Sequence, residues 1–230
     1  MGTTFLHIGT HKTGTTSIQR TLDAQRALLA SHGIAYFAGR HIRTNHVELH
    51  AAAMRDERMS PFKLVSGVRP DDDYRRSVLD SISAFLKTPA DKHIFSAEGL
   101  SFLRYRDEVE WIRRAIPGEV EIIVYLREKE AYRASHIAQM DKRNGLIPHW
   151  DPDAVVYMGP DSYLLDYDRR LDPWRTVFGA EKVKVIDYDE EVARHGTVFP
   201  SFLTAIGAPD ALPRDVWENV FLNRRSPGNI

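Results

Sequence analysis

Phe5-Leu-His-Ile-Gly-Thr-His-Lys-Thr-Gly-Thr-Thr-Ser-Ile-Gln19 decides how the rest of the chain is read. Its short apolar run breaks at Gly9, and a helical pattern begins five residues later. That order predicts strand, phosphate loop, helix. Gly9 and Gly14 have the spacing of the glycines in G-x-x-x-x-G-K-S/T, and Thr16 stands at the hydroxyl position, but Thr15 occupies the place of the lysine. The lysine is inside the loop, as Lys12. Loop amides, with the unpaired N–H groups and positive dipole end of the helix that follows, form an anion cradle whichever residue carries the charge. In the ordinary loop, lysine and magnesium share the charge on the outer phosphates of a nucleoside triphosphate. Lys12 is placed to reach a single leaving oxygen instead. The bland alternative is a tight turn that only connects strand to helix.

The 230 residues suit one α/β domain, and with no convincing linker a single domain over residues 1–230 is expected. Hydrophobic residues at 43% support a sizeable core, and a formal charge of −1 gives no global reason to expect nucleic acid, so any anion site is local. With no cysteine there is neither a disulfide nor a thiolate metal site. The first strand starts by Thr4, which leaves no room for a secretory signal, and no apolar run approaches a membrane span. A cytoplasmic protein is expected.

Downstream, Ile18, Leu22 and Leu29 predict one helix to about Ser31, followed by a short strand at Ile34–Phe37. Asn45-His-Val-Glu48 suggests a capping box opening a helix to about Arg55, with His46 and His50 on one solvated or substrate-facing side rather than on a metal. Residues 55–70 lose all pattern and read as a loop or lid. Asp71-Asp-Asp73 complements the dipole of a helix to about Lys87. Lys92–Ser96 reads as a core strand, which puts Glu98 just past its carboxyl end, where open α/β sheets bind ligands. Glu98 is then either a base for an acceptor hydroxyl or a helix-terminal acid. Val120–Leu126 is almost continuously apolar, as a central parallel strand requires. Arg127 follows it, and Ser135 lies eight residues on, on a helical face with Gln139 and Lys142. A helix over 163–178 and a half-buried strand Val183–Ile186 complete the pattern. Asp187 after that strand imitates the magnesium-holding aspartate of nucleotide hydrolases, while Arg224 and Arg225 read as exposed charge or as phosphate contacts folded back on the site. Alternating strands and helices predict a three-layer α/β/α sandwich with a mainly parallel sheet, of the P-loop nucleotide-binding type.

The string Thr10-His-Lys-Thr-Gly-Thr-Thr16 resembles the 5'-phosphosulfate loop, P-K-S/T-G-T-T/S, of sulfotransferases that use 3'-phosphoadenosine 5'-phosphosulfate (PAPS). His11 replaces its proline, and Ser17 replaces the tryptophan common in the cytosolic branch. Arg127 and Ser135 resemble the R-x7-S element by which that family holds the 3'-phosphate. The resemblance implies metal-free, in-line transfer of a sulfuryl group to the hydroxyl or amine of an acceptor, a small molecule, glycan or lipid. It implies a cofactor site of His11, Lys12, Thr13, Gly14, Thr15, Thr16, Arg127 and Ser135. Lys12 would act on the leaving oxygen and Glu98 as the base, because related bacterial sequences resemble Ser-x-Glu at this place, with His46 in reserve. The competing readings are a nucleoside triphosphate-dependent kinase with a degenerate loop and a non-catalytic nucleotide-binding module.

Overall fold

A computed structural model describes residues 2–142 and 148–217. Arg224 and Arg225 therefore lie outside the described residues. Five parallel strands form one sheet in the order β2-β3-β1-β4-β5: β1 (Thr3–His7), β2 (Ile34–Tyr36), β3 (Lys92–Ser96), β4 (Val120–Leu126) and β5 (Val183–Asp187). β1 is central, with Leu6 opposite Phe95 on one side and Ile122 on the other. The fold is a three-layer α/β/α sandwich, and its sheet is parallel throughout.

The layers follow from the two-residue period of a strand. Along β4, Ile122 and Val124 face one core, and Ile123 and Tyr125 face the other. The first core is covered by α3 (Val47–Ala53), α5 (Asp72–Leu86), α6 (Arg106–Ala115) and α8 (Tyr167–Phe178). The second is covered by α1 (Thr15–Ala24), α2 (Arg26–Ser31) and α10 (Phe199–Ala205). Strands buried on both faces must read as apolar runs, which is why β4 was so plain in the sequence. β5 is an edge strand, and Val185 on it is exposed.

Several local expectations are corrected. The first helix is two, broken at Gln25. No capping box opens α3: His46 occupies the cap position without a side-chain bond, and the Glu48 carboxylate instead accepts from the Arg40 N–H at 2.9 Å. All seven residues of α3 are buried, so it is not a solvated helix. Residues 55–70 are not patternless, because α4 (Pro61–Ser66) starts there behind a Ser60 cap. Buried Lys63 anchors that segment by donating to the carbonyls of Arg58 at 2.6 Å and Arg55 at 3.1 Å. α8 begins at Tyr167 rather than 163, capped by Asp166, and encloses Pro173. Among the described residues no helix is long and apolar enough to cross a membrane.

Candidate active site

Three predicted segments converge at the carboxyl ends of neighbouring strands: the turn after β1, Glu98 after β3, and Arg127 after β4. The order of the sheet switches direction at β1, which is where a crevice opens in folds of this kind.

The turn after β1 is shaped by three left-handed residues, Gly9 (φ 67°), Lys12 (φ 66°) and Gly14 (φ 77°). Lys12 is the one non-glycine with positive φ among the described residues. Gly9 is required by close approach as well, since a Cβ there would lie 2.7 Å from the Glu98 Cα. The Thr10 carbonyl accepts the hydroxyls of Thr13 at 2.6 Å and Thr15 at 3.2 Å, so both threonines are committed to holding the turn. Thr16 is exposed. α1 starts at Thr15 with no side chain capping it and no acid in its first turn, which keeps that terminus positive.

His11 is buried rather than displayed. Its ring tilts over Phe102 at 4.7 Å, meets His136 edge-on at 5.5 Å, and carries Nε2 3.8 Å from the Glu98 carboxylate. Glu98 opens a 3-10 turn, Glu98–Phe102, and stays half-buried beside the Gly9 backbone.

His46, the reserve base, is corrected. It is fully buried, and it exchanges two hydrogen bonds with Ser96: its N–H donates to the Ser96 carbonyl at 3.1 Å, and its Nδ1 accepts from the Ser96 N–H at 2.9 Å. An imidazole that accepts at Nδ1 carries its proton on Nε2, so no lone pair remains for an acceptor hydroxyl. Burial pushes its pKa down to about 3.

Arg127 and Ser135 are brought together. The guanidinium donates to the Ser135 Oγ at 3.0 Å across the first turns of α7 (Lys129–Asp141). Neither Glu128 nor Glu130 competes for it: the Glu128 carboxylate caps α7 by accepting from the amides of Glu130 and Ala131. The acid nearest Arg127 is Asp189, 3.6 Å from Nε, and Nε makes no hydrogen bond among the described residues. Its guanidinium lies 5.3 Å over the Tyr188 ring. A Cβ on Gly14 would touch that same ring, so Tyr188 spans the distance between the two motifs. An open groove passes Arg127 between Leu126, Tyr167 and Ile186.

Asp187, the magnesium candidate, caps α9 (Tyr188–His195) through the Glu190 N–H at 2.9 Å. Among the described residues no group of three or more acidic or histidine side chains is arranged for a metal ion.

Two neighbours of the turn escaped the sequence reading. Arg170 of α8 is 1% exposed and donates to the Thr10 Oγ1 at 2.9 Å. His136 is fully buried, with no hydrogen bond at either ring nitrogen among the described residues. Burial pushes its pKa well below the ordinary value, and His11, His149, Lys12 and Arg170 push the same way.

No protein-family model matches the chain, and no curated protein matches it in sequence. Solved structures do. A sulfotransferase from Alicyclobacillus acidocaldarius is 18% identical, with 92% of this chain and 87% of that one covered at a TM-score of 0.58. The chain has the sulfotransferase fold. The sulfotransferase domain of the curacin biosynthetic pathway superposes over 100% of this chain and 81% of its own at a TM-score of 0.53, with 12% identity. That of the Synechococcus PCC 7002 olefin synthase covers 97% and 78% at 0.51, with 14% identity. The likeness in fold thus extends over nearly the whole chain.

Proposed function

We propose that the protein is a PAPS-dependent sulfotransferase, acting through a single domain over residues 1–230 on the hydroxyl or amine of a small-molecule, glycan or lipid acceptor. One observation carries the reading: the Arg127–Ser135 hydrogen bond at the end of β4, on the same sheet edge as the left-handed turn that holds Lys12.

The residues present fit such a donor. Arg127 has a buried Nε without a hydrogen bond and a neighbouring hydroxyl on Ser135, a pairing suited to the 3'-phosphate. The amides of the turn and the uncapped start of α1 suit the 5'-phosphosulfate. PAPS, when bound, supplies the sulfuryl group and the leaving phosphate oxygen. Lys12 then stabilises the charge that grows on that oxygen, a preorganised term whose loss costs about 3 to 4 kcal/mol of barrier. Glu98 takes the acceptor's proton. His11, 3.8 Å away, orients that carboxylate. Thr13 and Thr15 hold the turn that presents Lys12.

The test is calorimetry with adenosine 3',5'-bisphosphate and with ATP, each with and without magnesium. Tight binding of the bisphosphate without metal is expected, with ATP weaker. Magnesium-dependent preference for ATP would replace this reading with a kinase. Radiolabelled PAPS screened against glycan, lipid and metabolite pools then identifies the acceptor, and absence of turnover with every pool would favour a nucleotide-binding module.

A further inference from the structure

We infer that Arg170 is a buried charge whose counter-ion is the anion bound in the turn after β1, and that it positions this turn for that anion. The inference rests on the anion-site reading above and adds a residue to it.

A guanidinium keeps its charge in every protein setting, and enclosing one without an opposite charge is costly. Arg170 is 1% exposed, yet no carboxylate lies within 4.0 Å of it among the described residues. Its partners are neutral: the Leu164 carbonyl and the Thr10 hydroxyl, each at 2.9 Å, and the ring faces of Tyr167 and Tyr132 at 4.9 and 5.9 Å. Half-buried Arg58 differs, since it is held by the fully buried Glu108 at 2.6 Å. Glu98 shares the surroundings of Tyr132 with Arg170, but its carboxylate is met by His11.

The guanidinium therefore sits one hydroxyl behind the turn. Thr10, which receives it, is also the residue whose carbonyl fixes Thr13 and Thr15. One turn earlier on α8, the Tyr167 hydroxyl donates to the Arg127 carbonyl at 2.6 Å. Tyr167 and Arg170 thus tie together the two segments assigned to opposite ends of the donor, and an anion in the turn supplies the missing negative charge.

The probe is inorganic pyrophosphate, alongside adenosine 3',5'-bisphosphate, with affinity read by calorimetry and folding by thermal unfolding. Two variants remove the charge: Arg170→Met fills the space with an apolar chain, and Arg170→Gln keeps a donor for Thr10. Either variant that folds is expected to bind both anions at least tenfold more weakly, while its melting temperature without ligand stays at or above that of the wild type. Arg170→Lys should recover part of the affinity. Wild-type affinity in a folded charge-removing variant, or failure of both variants to fold, would overturn the inference and make Arg170 a structural residue. Pyrophosphate binding that depends on Arg170, with no preference for the bisphosphate, would keep the inference and overturn the donor assignment.

Discussion

Lys12 combines two properties that single substitutions can separate. Its left-handed backbone costs about 1 to 2 kcal/mol that glycine does not incur, and its ammonium is the group assigned to the leaving oxygen in the proposed reaction. Lys12→Gly is therefore expected to raise the unfolding free energy by about 1 kcal/mol in urea titrations, whereas Lys12→Ala does not. If the proposed reaction holds, both should lose sulfuryl transfer far more than bisphosphate affinity, because the charge they remove would act on the breaking bond. Glu98→Gln should leave that affinity intact and depress turnover by about two to four orders of magnitude; near-normal turnover would shift the base role to His11. At Arg127 the expectation is selective. Arg127→Ala should weaken adenosine 3',5'-bisphosphate by about 1.5 to 3 kcal/mol and a nucleotide lacking the 3'-phosphate hardly at all. The placement of Lys12, Glu98, Arg127 and Ser135 along one sheet edge was legible because a motif fixes position along the chain and the strand order does the rest. Arg170 was not, since Asp168-Arg169-Arg170 reads as surface charge. Only the stripe Tyr167, Arg170, Leu171, Trp174 at helical spacing marks it as inward.

The elements most easily misread were those whose polar groups find partners far along the chain. α3 looks amphipathic through His46, Glu48 and His50, but Ser96, Arg40 and Ser60 each pair one polar atom of these side chains and help hold them inside. Periodicity reports polarity, not the presence of a partner, so burial there could not be read in advance. The strands were legible because a doubly covered strand has no polar face to confuse the pattern. The start of α6 depends on the same kind of distant pairing. The buried Glu108 carboxylate accepts from the amides of Arg55, Arg104 and Tyr105 and from the Arg58 guanidinium. Arg58→Met is expected to cost about 3 to 5 kcal/mol, since it leaves that carboxylate enclosed without its cation. Replacing Glu108 by Gln as well should recover part of the loss, and equal stability of single and double variants would deny the coupling.

For the molecule as a whole, buried neutral imidazoles set the acid limit. Burial pushes His7, His46 and His50 down from 6.5 to about 3, and His136 well below 6.5. Below 6.5 the unfolded chain takes up protons at these sites and the folded chain does not, so stability is full above that pH and falls towards pH 3. Each group withdraws stability as pH falls through this window, and their effects add. Urea midpoints should drop steeply between about pH 7 and about pH 5, and His7→Asn should shallow the slope by about one proton. A flat profile would deny that these rings stay neutral. The placement of β1 has a different consequence, one for biosynthesis. This strand is translated before both of its neighbours, and β4 is complete only at Leu126. At roughly 5 to 20 residues per second, the apolar centre of the sheet waits roughly 6 to 25 s on the ribosome for cover. During that interval Phe5, Leu6 and Ile8 present the kind of unpaired strand that chaperones bind, so the segment that defines the site is also the one most in need of escort.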